Sequence, residues 1–313
     1  MDKMITDAIV ALAENHHAGA AEIADQAADI FLQYSQDTNP SGEEHLRRDL
    51  LQIGWACIRA HPTMAPLVNL VNAVLWSTET RSLAKGQNPN QQEMLNEVVN
   101  AATTFKYRSQ VHEAAIAELV LPLIPEQAQV LTLGRSSTVK AALRHAQHAG
   151  RRFNVVCAEG RPGYEGHLMA AELSEYGIPV ELVVDALAVF FVSQVQLVLV
   201  GADHLRNDDL VNKVGTYGVA LAAREHGVPI YALCGSEKFL PPGYNPPPRD
   251  VWPAEQIWNN PPPGVVVQNI YFDHTPLSQI TGIVTEKGVL PTVGIEAWMA
   301  AIKLHPALHN RMA

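Results

Sequence analysis

The chain has 313 residues, a formal net charge of −10 and no run of basic residues. This excludes general nucleic-acid binding, which needs a Lys/Arg surface to displace counterions, but leaves room for a local basic pocket that holds a small anion. Three cysteines, Cys57, Cys157 and Cys234, stand far apart with no CxxC pair; neither a zinc site nor a disulfide framework is expected, and no metal or cofactor is implied. Reduced thiols, a Met-Asp-Lys start without a basic-then-apolar leader, and apolar runs too short to cross a bilayer predict a cytoplasmic protein with no membrane partner.

Residues 1–125 carry apolar positions at helical spacing and predict a helical domain. Ile5, Ile9 and Leu12 mark the first apolar stripe, and Ile23, Ala27, Ile30 and Phe31 the next. Ser41, with Glu44 three positions on, predicts a capping box opening a helix through Leu46, Leu50, Ile53 and Ile58, which His61-Pro62 ends. Residues 65–77 and 91–120 read as further helices, joined by the polar stretch 86–90.

From about residue 127 short β-rich segments alternate with helical ones. Strands are predicted at 130–133, 154–157, 180–184, 197–200 and 229–233, and helices at 136–149, 165–176 and 210–225. Gly150, Gly177 and Gly227 each end a helix in the manner of left-handed caps. This alternation predicts a second domain, residues 126–313, of α/β class with a Rossmann-like, mainly parallel sheet covered on both faces. The Pro-rich stretch 241–263 is expected to dock on the body through Trp252 and Trp258 as a packed surface excursion.

Ligands of such sheets bind beyond the carboxyl ends of the strands, so the loops 134–138, 158–165, 201–213 and 234–250 carry the functional expectation. In the first, Gly134-Arg135-Ser136-Ser137-Thr138 resembles an anion nest leading into a helix. It is neither a Walker A loop nor GxGxxG, which argues against ATP hydrolysis and standard NAD binding. In the second, Arg161 stands beside a helix start among Gly160, Gly163 and Gly166. A guanidinium there can clamp a phosphate, or it can form a surface pair with Glu159 or Glu165. In the third, Asp203 follows Gly-Ala at a strand end, where a carboxylate can act as acid or base, and Asn212 and Lys213 are read as opening a helix and holding a phosphate. The alternative there is capping by Asp208 or Asp209 with a solvated lysine. His204 is expected to face solvent, and Cys157 to be a buried small apolar residue.

The stretches LTLGRSSTVKAAL, CAEGRPGYEG, IPVELVVDA, VLVGADHLRNDDLVNKVGTY and NIYFDHTPLSQITGIVTEKG, in this order over residues 127–290, resemble the initiation factor 2B α/β/δ superfamily, which includes ribose-1,5-bisphosphate isomerase and 5-methylthioribose-1-phosphate isomerase. The resemblance implies a pocket for a phosphorylated sugar or nucleotide, with Arg135, Ser136, Ser137, Glu159, Arg161, Asn212 and Lys213 as the binding set, and a homodimer or larger assembly joined through the Rossmann-like half. In the isomerase members a cysteine after Thr-His in the first loop works with the Asp of the Gly-Ala-Asp motif. Here that stretch reads Thr132-Leu133-Gly134, while Asp203 is retained. Glycine transfers no proton, and the helical half shows no counterpart of the isomerases' Arg-Gly substrate loop. The expectation is a binding protein without the usual isomerase activity; the alternative is an aldose–ketose isomerase that uses Asp203 with a different partner.

Overall fold

The computed structural model describes all residues except 1, 16–17, 39, 86–89, 207, 247–251 and 310–313, and the side chains of 80–85. Five helices come first: α1 (Lys3–Glu14), α2 (Ala20–Asp37), α3 (Glu43–Ala60), α4 (Ala65–Lys85) and α5 (Gln91–Val120). Their inward stripes meet in one core, with Ile5, Leu12, Ile23, Phe31, Leu46, Ile53, Leu67 and Val98 fully buried, as 3.6-residue periodicity requires. The reading of Ser41 as a cap is corrected: Gly42, at φ 141°, is the N-cap residue of α3. A reciprocal capping box forms at α5, and one of its two bonds at α2. Asn90 accepts from the Glu93 amide while Glu93 accepts from the Asn90 amide, and Glu22 accepts from the Gly19 amide at 3.0 Å. The linker at 86–89 lies outside the described residues.

The chain then builds a seven-stranded sheet from β1 (Ala128–Leu133), β2 (Phe153–Ala158), β3 (Val180–Val183), β4 (Leu197–Val200), β7 (Ile230–Leu233), β9 (Gly282–Thr285) and β10 (Gly288–Leu290), in the order β10-β9-β7-β4-β1-β2-β3. All neighbours are parallel except β10 with β9. The crossovers include α6 (Ser137–His148), α7 (Glu165–Glu175), α8 (Asp185–Phe191) and α9 (Thr216–His226). All four residues of β4 are buried, the signature of a strand covered on both faces. Gly150, Gly177 and Gly227 have φ of 81°, 76° and 67° and end α6, α7 and α9, as their positions predict.

The helix expected over 210–225 is replaced by two elements. Residues Asp209–Lys213 are strand β6, the middle of a small antiparallel sheet with β5 (His204–Arg206) and β8 (Phe272–Pro276); α9 starts only after Gly215, which sits at φ 107°. The partner strand β8 pairs Asn212 with Asp273 and Lys213 with Phe272. A pairing across some sixty residues leaves no trace in local periodicity.

Both chain halves contribute to shared packing. The first half of α5 places Met94, Leu95, Val98 and Ala102 in the helical core, and its last turns place Ile116, Ala117 and Val120 against the sheet. Leu240, Tyr244, Leu304 and Leu308 return to the helical core. Trp252 stacks on Tyr271 with centroids 4.2 Å apart. Trp258 is 49 % exposed, so of the two tryptophans only Trp252 anchors the Pro-rich stretch.

Candidate functional site

Strand order reverses between β1 and β4: from β1 the sheet runs through β2 to β3 on one side, and from β4 through β7 to β9 on the other. The carboxyl ends of two such strands diverge into opposite crossovers and leave a crevice. A cavity opens there, lined from β1 by Leu133, Gly134, Arg135, Ser136 and Ser137, and from β4 by Ala202 and Asp203. The small antiparallel sheet adds Asn212, Lys213 and Phe272, α7 adds Glu165, and the helical region adds Gly19, His61 and Met64. Gly201 lets these elements meet, since a Cβ on it would lie 2.7 Å from Ser136 Oγ.

Lys213 is 6 % exposed and donates to Glu165 Oε1 at 2.8 Å. Its Nζ stands 4.0 Å from the centre of the Tyr271 ring, which Trp252 covers from the other side. Burial first, and then the Glu165 carboxylate, push the Tyr271 phenol up to about 12. The second oxygen, Glu165 Oε2, is buried with no hydrogen-bond partner among the described residues. Asn212 Nδ2 donates to Thr216 Oγ1 at 3.0 Å. Lys238, 3 % exposed, lines the cavity from the loop after β7. Two buried ammonium groups, a polar amide and the first turn of α6 with Ser136 at its cap make a surface suited to a phosphate. Glu165 Oε2 can accept from a hydroxyl.

The structure brings together Arg135, Ser136, Ser137, Asp203, Asn212 and Lys213 around this cavity, and it leaves Glu159 and Arg161 outside it. The backbone amides of Gly160 and Arg161 donate to Asp185 at 2.8 and 2.7 Å. This grip turns the loop toward α8. The exposed Arg161 guanidinium then donates to Tyr164 Oη at 2.5 Å. Glu165, not Arg161, is the residue of that loop that enters the cavity. Arg135 lines the cavity, but its guanidinium is held by Glu22 at 2.6 and 3.0 Å and by Glu172 at 2.8 and 3.0 Å. Its charge ties α2 to α7. Lys213 stands at the end of a strand rather than at a helix start, and it is buried rather than solvated.

His204 is buried, not solvent-facing: its Nδ1 donates to the Thr63 carbonyl at 2.6 Å. None of the three cysteines lines the cavity, and all are buried. Burial, with Asp185 a smaller cause, pushes the Cys157 thiol up to about 12. Gly134 holds φ +69°, and a Cβ there would lie 3.2 Å from Lys213 Cβ. Sequence reasoning missed Lys238, although it follows a strand of the sheet. It also missed Glu165 and Tyr271 as cavity residues; their roles depend on Lys213 arriving from a strand whose pairing is non-local. Among the described residues no cluster of three His, Cys, Asp or Glu could hold a metal ion, and no helix is long and apolar enough to cross a membrane.

A mainly parallel sheet with a cavity at its switch point, behind an N-terminal helical region, defines a Rossmann-like α/β protein. The chain belongs to the initiation factor 2 subunit family, whose model matches residues 16–292. It is 30 % identical over 283 residues to a ribose 1,5-bisphosphate isomerase of Archaeoglobus fulgidus, covering 87 % of this chain and 85 % of that one. It is 33 % identical over 280 residues to a methylthioribose-1-phosphate isomerase of Heliobacterium modesticaldum, covering 82 % and 78 %. The crystal structure of translation initiation factor eIF-2B from Pyrococcus horikoshii superposes with a TM-score of 0.78 at 26 % identity, covering 93 % of this chain and 98 % of that one.

Proposed function

We propose that this protein binds a phosphorylated sugar or nucleotide in the switch-point cavity and does not carry out the aldose–ketose isomerisation for which two of its relatives are named. Lys213, Lys238 and Asn212 hold the phosphate. The observation that carries the reading is the pairing of this buried cationic surface with a cavity that has Gly134 at the end of β1 and no thiol in its lining. Moving a proton between neighbouring sugar carbons needs two positioned acid/base groups. Asp203 is one; the cysteine position holds no side chain. Asp203 supports the other reading, an isomerase with a substitute partner. The protein works as a two-fold homodimer or larger, closed through the apolar surface of α8 and α9. Residues 1–125 and 126–313 serve as the helical and ligand-binding domains.

The test is thermal denaturation with ribose 1,5-bisphosphate, methylthioribose 1-phosphate and AMP, paired with isomerisation assays on the two sugars. A ligand present at a hundred times its Kd adds about 2.7 kcal/mol to stability, a clear rise in Tm. Stabilisation without turnover supports the binder. Robust turnover that Asp203→Asn abolishes supports the isomerase and sinks the binder.

A further inference from the structure

A second cavity, of about 320 Å³, lies between α4, α5 and the C-terminal segment. Its floor is apolar, from Phe105, Phe239, Ile302 and the face of Trp298. Polar groups that other bonds already occupy wall one side. Asn69 Nδ2 donates to the carbonyls of Glu237 and Phe239 at 2.6 and 2.8 Å, and His112 Nδ1 lies 2.8 Å from Glu237 Oε2. The one carboxylate in the lining is thus engaged. Two cations stand at the mouth and are not. Arg108, exposed on α5, makes no ion pair or side-chain hydrogen bond with a described residue, and the Lys287 ammonium meets only the Trp298 ring, 5.0 Å from its centre.

We propose that this cavity is a second small-molecule site, which takes an organic monoanion with a flat apolar body, of the aryl carboxylate kind. The volume falls in the range of small-ligand pockets, which combine an apolar lining with a few placed polar groups. The body lies on Phe105 and Trp298. The carboxylate reaches Arg108, whose planar fork matches it in two bonds, and Lys287. Glu237, although paired, disfavours a dianion such as a phosphate monoester. The site stands apart from the switch-point cavity in all but one turn: Ser236 and Glu237 wall the second cavity, and Lys238 lines the first. The proposal is independent of the ligand assigned to the first cavity.

Calorimetric titration of the full chain with indole-3-carboxylate, and with its uncharged carboxamide, tests it. The acid should bind wild type with a Kd of about 1 mM or tighter, and the amide about tenfold more weakly or worse for loss of the charge-assisted bonds. Arg108→Met and Trp298→Ala, both at partly or fully exposed positions where folding is tolerant, should each weaken the acid by about tenfold. The proposal is overturned if the acid fails to bind wild type, if acid and amide bind alike, or if both variants bind the acid as wild type does, because that last result places it elsewhere. The sugar-phosphate melting assay on the same variants should be unchanged.

Discussion

At Gly134 the backbone lies at φ +69°, with Lys213 Cβ 3.2 Å from where a Cβ would stand. A side chain in that left-handed region costs about 1–2 kcal/mol. Gly134→Cys should therefore destabilise the protein by that amount in urea unfolding. Lys213 and Glu165 form a buried ion pair. Lys213→Met strands the carboxylate and should cost about 3–5 kcal/mol. The double variant Lys213→Met, Glu165→Gln should recover much of the loss. Neither variant should be stabilised by ribose phosphates, which separates the binding role from the folding role. Arg161, exposed and outside the cavity, gives the contrast: Arg161→Ala should change stability by less than about 0.5 kcal/mol and retain the ligand-induced rise in Tm. A loss of that rise would return Arg161 to the binding set.

Strand β5 carries a titratable group into the seam between the chain halves. Burial drives the His204 pKa down to about 4, against the smaller opposing effect of its bond to the Thr63 carbonyl. The imidazole is neutral in the folded protein and takes up its proton in the unfolded chain near its ordinary value of about 6.5. Between pH 4 and 6.5 the unfolded state therefore binds more protons, and stability rises with pH through that window. The contribution is complete above about pH 6.5, is lost as pH falls toward 4, and amounts to roughly 3 kcal/mol. Urea midpoints at pH 7 and pH 4.5 should show this fall, and His204→Gln should flatten it. A wild-type profile identical to that of the variant would rule out His204 as its source.

On the scale of the whole molecule, the α8 and α9 region leaves several large apolar side chains exposed. Val184, Leu187 and Phe190 of the α8 region are 50 %, 44 % and 64 % exposed, and Tyr217 and Leu221 of α9 are 40 % and 43 %. Exposed apolar side chains on two helices that pack against each other suit a self-complementary interface. Light scattering should give twice the monomer mass or more for wild type. Phe190→Glu, at a position 64 % exposed in the isolated chain, should give the monomer mass with an unchanged circular dichroism spectrum. A monomer in wild type at high micromolar concentration would contradict the proposed assembly.

The sequence by itself determined a helical first part and an alternating α/β run after it, because helical stripes, apolar strands and Gly150, Gly177 and Gly227 are local signals set by near neighbours. It also pointed to four strand-end loops, among them Gly134-Arg-Ser136 and Gly201-Ala-Asp203, which follow strands directly and line the cavity. Tertiary structure alone decided which side chains from those loops meet. Lys213 reaches the cavity on β6, a strand held between β5 and β8, the latter pairing from sixty residues away. Arg161 turns outward because Asp185, 24 residues on, holds its backbone. Arg135 is spent on Glu22, 113 residues back in the helical region. A charged residue in a strand-end loop has the same local pattern whether its partner is a phosphate or a distant carboxylate, and only the folded chain brings that carboxylate within 3 Å or keeps it away.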